Sequence, residues 1–248
     1  VIRSPTPTRE PLFFCAALDN SSEVSLAGDE LSHVKAQRLK PGDALALFDG
    51  RGNVARATIR SIARQEIRVA VTERRRDSPA VPCVDLYCAV PKGDRVATLL
   101  DMATQLGMRR FTPIRWARGV VEPGARAADR WRRICLEACK QSRRTYLPEV
   151  GATATLADAI AQARAEHSRL LLAHPYDDAP SPSFPDLAQT RQLALFVGPE
   201  GGVVEEELTL LRDAGADLLS LGEGILRIET AAIALIAAVN VLWMLGKK

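Results

Sequence analysis

The stretch from Leu193 to Gly215, LALFVGPEGGVVEEELTLLRDAG, reads as an apolar strand, a glycine-rich turn and a helix that opens on Glu205, Glu206 and Glu207. Two other strand ends carry turns of related texture, LLLAHP at residues 170–175 and LSLGEGILRIETA at residues 219–231. Glycine in such turns lets the backbone approach a ligand closely and accepts any φ the loop requires. A helix N-terminus attracts anions through its unpaired N–H groups and its dipole. Here the three glutamates already supply that negative charge, so a polyphosphate would be repelled. A ligand without phosphates that carries a positive charge would not be. S-adenosylmethionine has these properties, with a sulfonium cation and an adenosine to bury. ATP and NAD fit poorly, and the phosphate-binding pattern G-x-x-x-x-G-K-[ST] is missing. The plainer alternative is three ordinary strand-to-helix turns whose acids merely stabilise a helix start.

Strands must hold these turns side by side. After residue 82, apolar runs alternate with helical segments: VDLYCAV, a helix through Ala97 to Leu106, RFTPIRW, a helix around Trp131 to Ser142, a helix from Leu156 to Ala165, then RLLLAHP, LALFVG and DLLSLG. That alternation indicates a parallel sheet covered on both faces, and ligands of such sheets sit beyond the carboxyl ends of the strands. The Pro-rich piece HPYDDAPSPSFPD reads as a surface loop. The closing run AAIALIAAVNVLWMLG is shorter than the ~20 residues of a membrane span and is interrupted by Asn240. A helix apolar on nearly all sides belongs in a core or a subunit interface, and the interface is preferred here.

The first ~75 residues have the short alternating runs of a small β domain: PLFFCAAL, EVSLAG, DALALFD, VARATIRSI and EIRVAVTE, with one helix around ELSHVKAQRL. Asp49-Gly50 and Gly52-Asn53 supply turn chemistry. Strands of this length suggest a compact barrel. RRRDSPAVP, from Arg74 to Pro82, reads as a linker. The domains expected are therefore residues 1–76, a small β-barrel, and residues 83–248, the α/β domain.

Charge separates two regions. Residues 109–144 hold eleven Lys/Arg against three acids, a balance of +8, whereas residues 200–229 hold two Arg against eight acids, a balance of −6. One surface suits a polyanion and the other does not. On the helix near 131–142, Arg130, Arg133, Glu137, Lys140 and Arg144 recur at helical spacing opposite Trp131, Ile134 and Ala138, which predicts a basic stripe for phosphates; a solvated face is the bland alternative. Five cysteines, an odd number without C-x-x-C spacing, argue against a disulfide framework, and Cys135 and Cys139 lack histidines at metal-ligand spacing. No metal site is expected. VIRSPTPTRE has no apolar core and is not read as a signal peptide, so the cytoplasm is expected.

Taken together, VGPEGG followed by acids and LSLGEGILRIETAAIAL resemble the RsmE family of ribosomal RNA uridine-N3 methyltransferases, of the SPOUT superfamily. LKPGDALALFDG, PKGDR, RWRRICLEACKQSRR with PEV after it, and LLLAHP are similar to further blocks of that family in the same order, so the resemblance spans nearly the whole chain. It implies an N-terminal PUA-like barrel that binds RNA, a C-terminal α/β domain with a trefoil knot, and a homodimer. The implied reaction is S-adenosylmethionine-dependent methylation of N3 of a uridine in 16S ribosomal RNA, within the small ribosomal subunit. Carried over by position, the cofactor loops would use Leu172, Ala173 and His174; Gly198, Pro199, Gly201 and Gly202; and Leu221, Gly222, Ile225 and Leu226. Lys92, Arg95, Arg118, Arg143 and Arg144 fall in blocks that imply RNA contacts. Arg227 would stabilise charge on a uracil carbonyl as N3 loses its proton, with Glu229 a candidate proton acceptor; the structural alternatives are an ion pair of Arg227 with Glu229 or with the acids of the neighbouring loop, and Glu229 as a helix-start carboxylate. The chain departs from the family pattern at Met102 and Gln105, where Lys and Glu are common, at Gly224, where a basic residue is frequent, and at Ile228, where Thr is usual. Two other classes remain open: a non-catalytic RNA-binding protein with a degenerate cofactor site, and a nucleotide-dependent transferase.

Overall fold

The computed structural model describes residues 10–18, 20–175 and 184–247. Contacts divide the chain into two units, one of Val1–Pro79 with Cys139–Leu147, the other of Ala80–Ala138 with Pro148–Lys248.

The first unit holds β1 (Leu12–Phe14), β2 (Glu23–Ala27), α1 (Asp29–Ala36), β3 (Ala44–Phe48), β4 (Asn53–Ile62) and β5 (Glu66–Arg76). The strands form one sheet in the order β1-β3-β4-β5-β2, antiparallel except for the β1–β3 pair. Alternation drives the burial: in β2, Val24 and Leu26 turn inward while Glu23, Ser25 and Ala27 face out. They join Phe13, Leu45, Leu47, Ile59, Ile67 and Val69, with Leu31 and Val34 of α1, in one core. The linker expected from Arg74 starts later, because β5 stays paired with β4 through Arg76, opposite Asn53. Three arginines in a row suggested a break; the ladder accepts them because their side chains remain exposed.

The segment Cys139–Leu147 returns to this unit, which nothing in the sequence pattern announces. Its anchors are backbone bonds, Leu147 N–H to Gly50 O at 3.0 Å and Gly52 N–H to Thr145 O at 3.1 Å. Gly52 has φ +91, and a Cβ there would collide with the Tyr146 ring, so this turn needs glycine for both conformation and space.

The second unit continues with β6 (Cys83–Cys88), α2 (Arg95–Gln105), β7 (Met108–Arg115), α3 (Ala127–Ser142), β8 (Glu149–Val150), β9 (Ala154–Thr155), α4 (Leu156–Ala165), β10 (Arg169–Ala173), α5 (Phe184–Gln189), β11 (Gln192–Val197), α6 (Glu205–Asp213), β12 (Asp217–Leu219) and α7 (Ile228–Leu245). The main path is β12-β10-β11-β6-β7-β8, with β9 also on β7, and every ladder is parallel. The central strands are apolar on both faces, as a sheet covered by helices requires; across β6 and β11 the Tyr87 and Phe196 rings stack at 5.0 Å. The Pro-rich loop reading falls largely on residues 176–183, outside the described residues, and its end is corrected by α5, which starts at Phe184.

The closing helix α7 is 18 residues long with mean hydropathy 2.0, enough by length and composition alone to cross a membrane. Here it packs against α2, α5, β6, β10 and β11. Ala232, Leu235, Ile236 and Val239 are buried in that contact, and Asn240 donates from Nδ2 to Leu106 O at 2.7 Å. The residue that interrupted the apolar run thus ties α7 to the end of α2. On the opposite side Val241, Met244 and Leu245 are exposed.

Candidate functional site

The parallel sheet places the ends of β10, β11 and β12 next to one another, because β11 and β12 both pair with β10 in register. The three turns that leave these ends enclose a cleft of about 360 Å3, within the range of small-molecule sites. Ten of the eleven sequence-predicted cofactor residues line it: Ala173, His174, Gly198, Pro199, Gly201, Gly202, Leu221, Gly222, Ile225 and Leu226. Leu172 does not; it is wholly buried in β10, one residue short of the strand end. Glu200, Gly224, Ile228 and Ala231 line the cleft as well and were not among the predicted contacts. Glu200 could have been found, since it is the one polar side chain of the GPEGG turn.

The cleft's electrostatics bear on its occupant. Among the described residues, Glu200 is the only charged side chain that lines it, and no Lys or Arg does. Gly202 takes φ +81, a conformation glycine adopts without strain, and so turns the chain from β11 toward α6. Arg118 braces the turn from outside, donating from Nη1 to Gly201 O at 2.9 Å.

The three glutamates at the start of α6 are not equivalent. Glu207 accepts from its own helix start, Val204 N–H at 3.1 Å, and from Ala117 N–H at 2.6 Å in the loop after β7. One carboxylate therefore satisfies an orphan helix donor and ties two loops together. Glu205 reaches Arg212 at 3.8 Å across an exposed face, a contact worth little.

A second, more open pocket of about 450 Å3 adjoins the cleft, lined by Arg95, Glu200, Ile225, Leu226 and Arg227. Arg227 caps the start of α7, and its guanidinium has no hydrogen-bond or ion-pair partner among the described residues. The expected alternative, an Arg227–Glu229 pair, is not what forms. Arg95, at the first turn of α2, instead reaches Glu200 at 2.5 Å and Glu229 at 3.9 Å. Glu229 is only 8% exposed, and its Oε2 has no hydrogen-bond partner. Ile225, 76% exposed, and Leu226 line both pockets with apolar side chains.

The sequence-predicted RNA residues divide between the units: Lys92, Arg95 and Arg118 belong to the second, where Arg95 and Arg118 contact the GPEGG turn, and Arg143 and Arg144 belong to the first. Lys92 is exposed beside the GPEGG turn. Arg143 is exposed and donates to Glu10 O at 2.9 Å. Arg144 is half-buried, and desolvation lowers its guanidinium pKa. The basic stripe on α3 needs one correction: Lys140 is buried and pairs with Glu30 at 2.9 Å, so it faces protein. The buried side of α3 is Trp131, Cys135, Ala138 and Cys139, which leaves Arg132 and Arg133 outward. Of the family departures, Met102 and Gln105 are exposed on α2, while Gly224 and Ile228 line the cleft.

Comparison with known proteins matches this arrangement. Residues 78–240 fit the family model described as an RNA methyltransferase domain, and residues 26–72 fit an RNA methyltransferase PUA domain. Ribosomal RNA small subunit methyltransferase E of Mycobacterium bovis is 34% identical over 242 residues, covering 93% of this chain and 91% of the relative. The Synechocystis protein of the same name is 31% identical over 223 residues, covering 88% of this chain and 73% of its own. Ribosomal RNA small subunit methyltransferase E of Neisseria gonorrhoeae, solved bound to S-adenosylmethionine, superimposes with TM-score 0.80 at 28% identity, covering 94% of this chain and 98% of that one. A proposed methyltransferase of Legionella pneumophila, also solved with S-adenosylmethionine, gives TM-score 0.83 at 27% identity, with the same coverage of 94% and 98%. With both family models matched in order, and a pocket where three turns meet at the strand ends, the chain belongs to the RsmE family of ribosomal RNA small subunit methyltransferases.

Proposed function

We infer that this protein transfers a methyl group from S-adenosylmethionine to N3 of a uridine in 16S ribosomal RNA of the small ribosomal subunit. The observation that carries the reading is the cleft at the ends of β10, β11 and β12, glycine-rich, mostly apolar and free of Lys and Arg among its described lining residues. Its volume of about 360 Å3 suits an adenosine with an amino-acid tail. A polyphosphate would find no Lys or Arg among the described lining residues, whereas a sulfonium would meet the Glu200 carboxylate, which it would share with Arg95. Ala173, His174, the GPEGG turn, Leu221, Gly222, Ile225 and Leu226 are the residues proposed to hold the cofactor, with backbone N–H and C=O groups rather than charged side chains. When bound, it supplies an electrophilic methyl group.

The neighbouring pocket is proposed to receive the target base. Arg227, without a partner of its own, would donate to a uracil carbonyl and hold the charge that develops when N3 gives up its proton. Ile225 and Leu226 would fix the ring between the two pockets, since transfer requires the nitrogen and the methyl group in line. Residues 1–76, as a PUA-like module, and 83–248, as the catalytic module with the family's knot at its three turns, are the proposed functional division. Lys92, Arg118, Arg143 and Arg144 would contact RNA phosphates, positioning rather than reading the substrate. The exposed apolar side of α7, Val241, Met244 and Leu245, supports a homodimer contact, and the proposed setting is the cytoplasm, where small subunits are assembled. The intact cleft does not favour a non-catalytic RNA-binding role.

Two measurements test this. Calorimetry should give a micromolar S-adenosylmethionine affinity, on the order of −8 kcal/mol, and far weaker ATP binding. Small subunits from cells lacking the protein, incubated with it and the cofactor, should gain 3-methyluridine by nucleoside mass spectrometry. ATP binding as tight as S-adenosylmethionine, or a different methylated nucleoside, would overturn the reading.

A further inference from the structure

The second pocket contains more than one arginine needs. Arg95 reaches it from α2 and Arg227 from the start of α7, so two guanidinium-bearing residues line one pocket of about 450 Å3 beside the cofactor cleft. The partner of Arg95 is Glu200, whose side chain is 42% exposed and sits on the cofactor turn itself. Behind it, at 3.9 Å, stands Glu229, buried and with an Oε2 that nothing hydrogen-bonds. A buried carboxylate oxygen without a donor is costly unless a donor reaches it in another state. Arg95 is near enough to be that donor.

Resting on the methyltransferase reading above, we propose that Arg95 is a second base-recognition residue, which leaves Glu200 for a uracil oxygen when the target base enters and is then held in place by Glu229. The imide edge of uracil presents acceptor, donor, acceptor: O2, N3–H and O4. Two guanidinium groups on the two carbonyls match its outer positions. Cytosine presents an amino group in place of O4, which would face a guanidinium donor with another donor, and a site built to hydrogen-bond one group rejects an analogue that cannot. The same pair serves the chemistry. When N3 loses its proton to water, the charge spreads over O2, N3 and O4, and guanidiniums at both oxygens favour that anion over the neutral ring. The N3 electron pair then takes the methyl group, and the electrons of the broken carbon–sulfur bond remain on sulfur.

The charged groups lining this pocket are Arg95 from α2, Glu200 from the turn after β11 and Arg227 at the cap of α7, with Glu229 of α7 reached through Arg95. Lys92 lines the adjoining small pocket with Glu200, and the Cys88 thiol at the end of β6 feels the charge of Glu229. Among the described residues, only Arg95 pairs with both carboxylates.

The test is a pH–rate profile at saturating cofactor and saturating small subunits, for wild type, Arg95→Gln, Arg95→Lys and Glu229→Gln. Arg95→Gln should lose roughly 10²–10³ in kcat near pH 7, the scale of one charge-stabilising donor. The deficit should shrink steadily as pH rises, because hydroxide then supplies the anion the arginine otherwise stabilises. Arg95→Lys should recover part of the rate, and Glu229→Gln should fall between wild type and Arg95→Gln with a profile displaced to higher pH. Calorimetric binding of S-adenosylmethionine should stay within about threefold of wild type in all three. A deficit in Arg95→Gln that is constant across pH would overturn the proposal, as a purely structural role predicts. So would an unchanged kcat with raised KM and a weaker salt dependence, the outcome for a phosphate contact. Failure of wild type itself to form 3-methyluridine would instead sink the methyltransferase reading, and is separately visible.

Discussion

The two ends of the parallel sheet handle charge in opposite ways. At the amino ends of the strands, Asp85 of β6, 2% exposed, accepts from Arg109 Nε at 2.7 Å and from Arg110 Nη1 at 3.4 Å. Arg110 also donates to Glu149 at 3.1 Å and to Glu166 at 2.6 Å, while Gln192 donates to Glu166 at 3.2 Å and Arg169 pairs with Asp217 at 2.7 Å. Arg109 bridges Asp85 and Glu166 as well. At the carboxyl ends, Arg227 has no partner among the described residues, Glu229 is buried with an oxygen unbonded, and Arg95 is shared between two acids. Both ends lie in one unit and use the same residue types. The difference is one of saturation: charges that close on each other serve the fold, and charges left open are the ones we propose for a ligand. Such incomplete pairing is where local rules of satisfaction yield to function.

The contrast is broken hardest at the saturated end. Asp85→Ala removes the buried carboxylate that two guanidiniums share and leaves them the more exposed Glu166 and Glu149, so it should cost about 3 kcal/mol of stability, the low end of the scale for breaking a buried ionic cluster. Urea denaturation would measure it, and cofactor affinity of the folded fraction should be unchanged. The same cluster sets a pH dependence. Burial alone would raise the Glu166 pKa, but hydrogen bonds from Arg109 and Arg110 outweigh it and hold the carboxyl below its ordinary value. A depressed folded-state value contributes stability above the unfolded pKa of about 4.3. That contribution drains as pH falls from about 5 through the folded value, and Glu166→Gln should flatten this acid limb.

At the open end the effect should appear in rate instead. Arg227→Ala is expected to lose roughly 10²–10³ in turnover, or about 2.7–4 kcal/mol of barrier, with cofactor binding and urea midpoint close to wild type. A stability loss like that of Asp85→Ala would show that Arg227 belongs to the fold, and the comparison between the ends would fail.

How much of this the sequence shows follows from what each feature depends on. The strands and helices of the α/β unit are legible because apolar runs and helical periods are local; α4 runs from Leu156 to Ala165 as its pattern predicts. The cleft was legible because glycine turns mark their own purpose, so GPEGG, LAHP and LGEG identify its walls. Lys140 was misread because spacing reveals a face and not its neighbour: the helix period sets it beside Arg133 and Arg144, while the buried carboxylate of Glu30, 110 residues away, claims it. Arg95 was read as an RNA contact, and its position between Glu200 and Glu229 depends on two further turns of chain that no local pattern joins. Long-range ion pairs are the part of a structure that periodicity cannot carry.

The burial of Lys140 against Glu30 redistributes the expected RNA surface. Of the basic residues between 109 and 144, Arg109, Arg110 and Lys140 are committed to protein acids. Arg132 and Arg133 on α3 are exposed and have no polar partner among the described residues. Replacing both by alanine should lower the slope of log affinity against log salt by about 1.4–1.8, two phosphate contacts' worth. Replacing Arg143 and Arg144 should lower it less, since Arg143 already serves Glu10 and Arg144 is half-buried. Equal slopes for the first variant and wild type would remove α3 from the RNA surface.

The smallest expected effect concerns Cys88, and it decides which atom of the ring is methylated. Methylation at uracil C5 ordinarily requires a nucleophile, usually a cysteine thiolate, to add to the ring and activate that carbon. None of the five cysteines lines the cleft or the neighbouring pocket proposed for the base. Cys88 ends β6 opposite Val197, which lines the cleft. Its thiol is wholly buried and donates to Ala89 O at 3.1 Å. Burial pushes its pKa far above the ordinary thiol range, and the neighbouring Glu229 charge adds to the shift, so the thiolate a C5 mechanism needs is suppressed. A ring nitrogen needs no adduct, only loss of a proton and a place for the resulting charge. Cys88→Ala should therefore keep turnover within about twofold of wild type, far less than the change at a donor such as Arg227, with 3-methyluridine still the product. The cost should fall on stability, about 1 kcal/mol for one small buried side chain, and urea denaturation would separate the two. A folded Cys88→Ala protein that has lost its activity, or 5-methyluridine in the digest, would put the chemistry at carbon and the open charges at the strand ends to some other use.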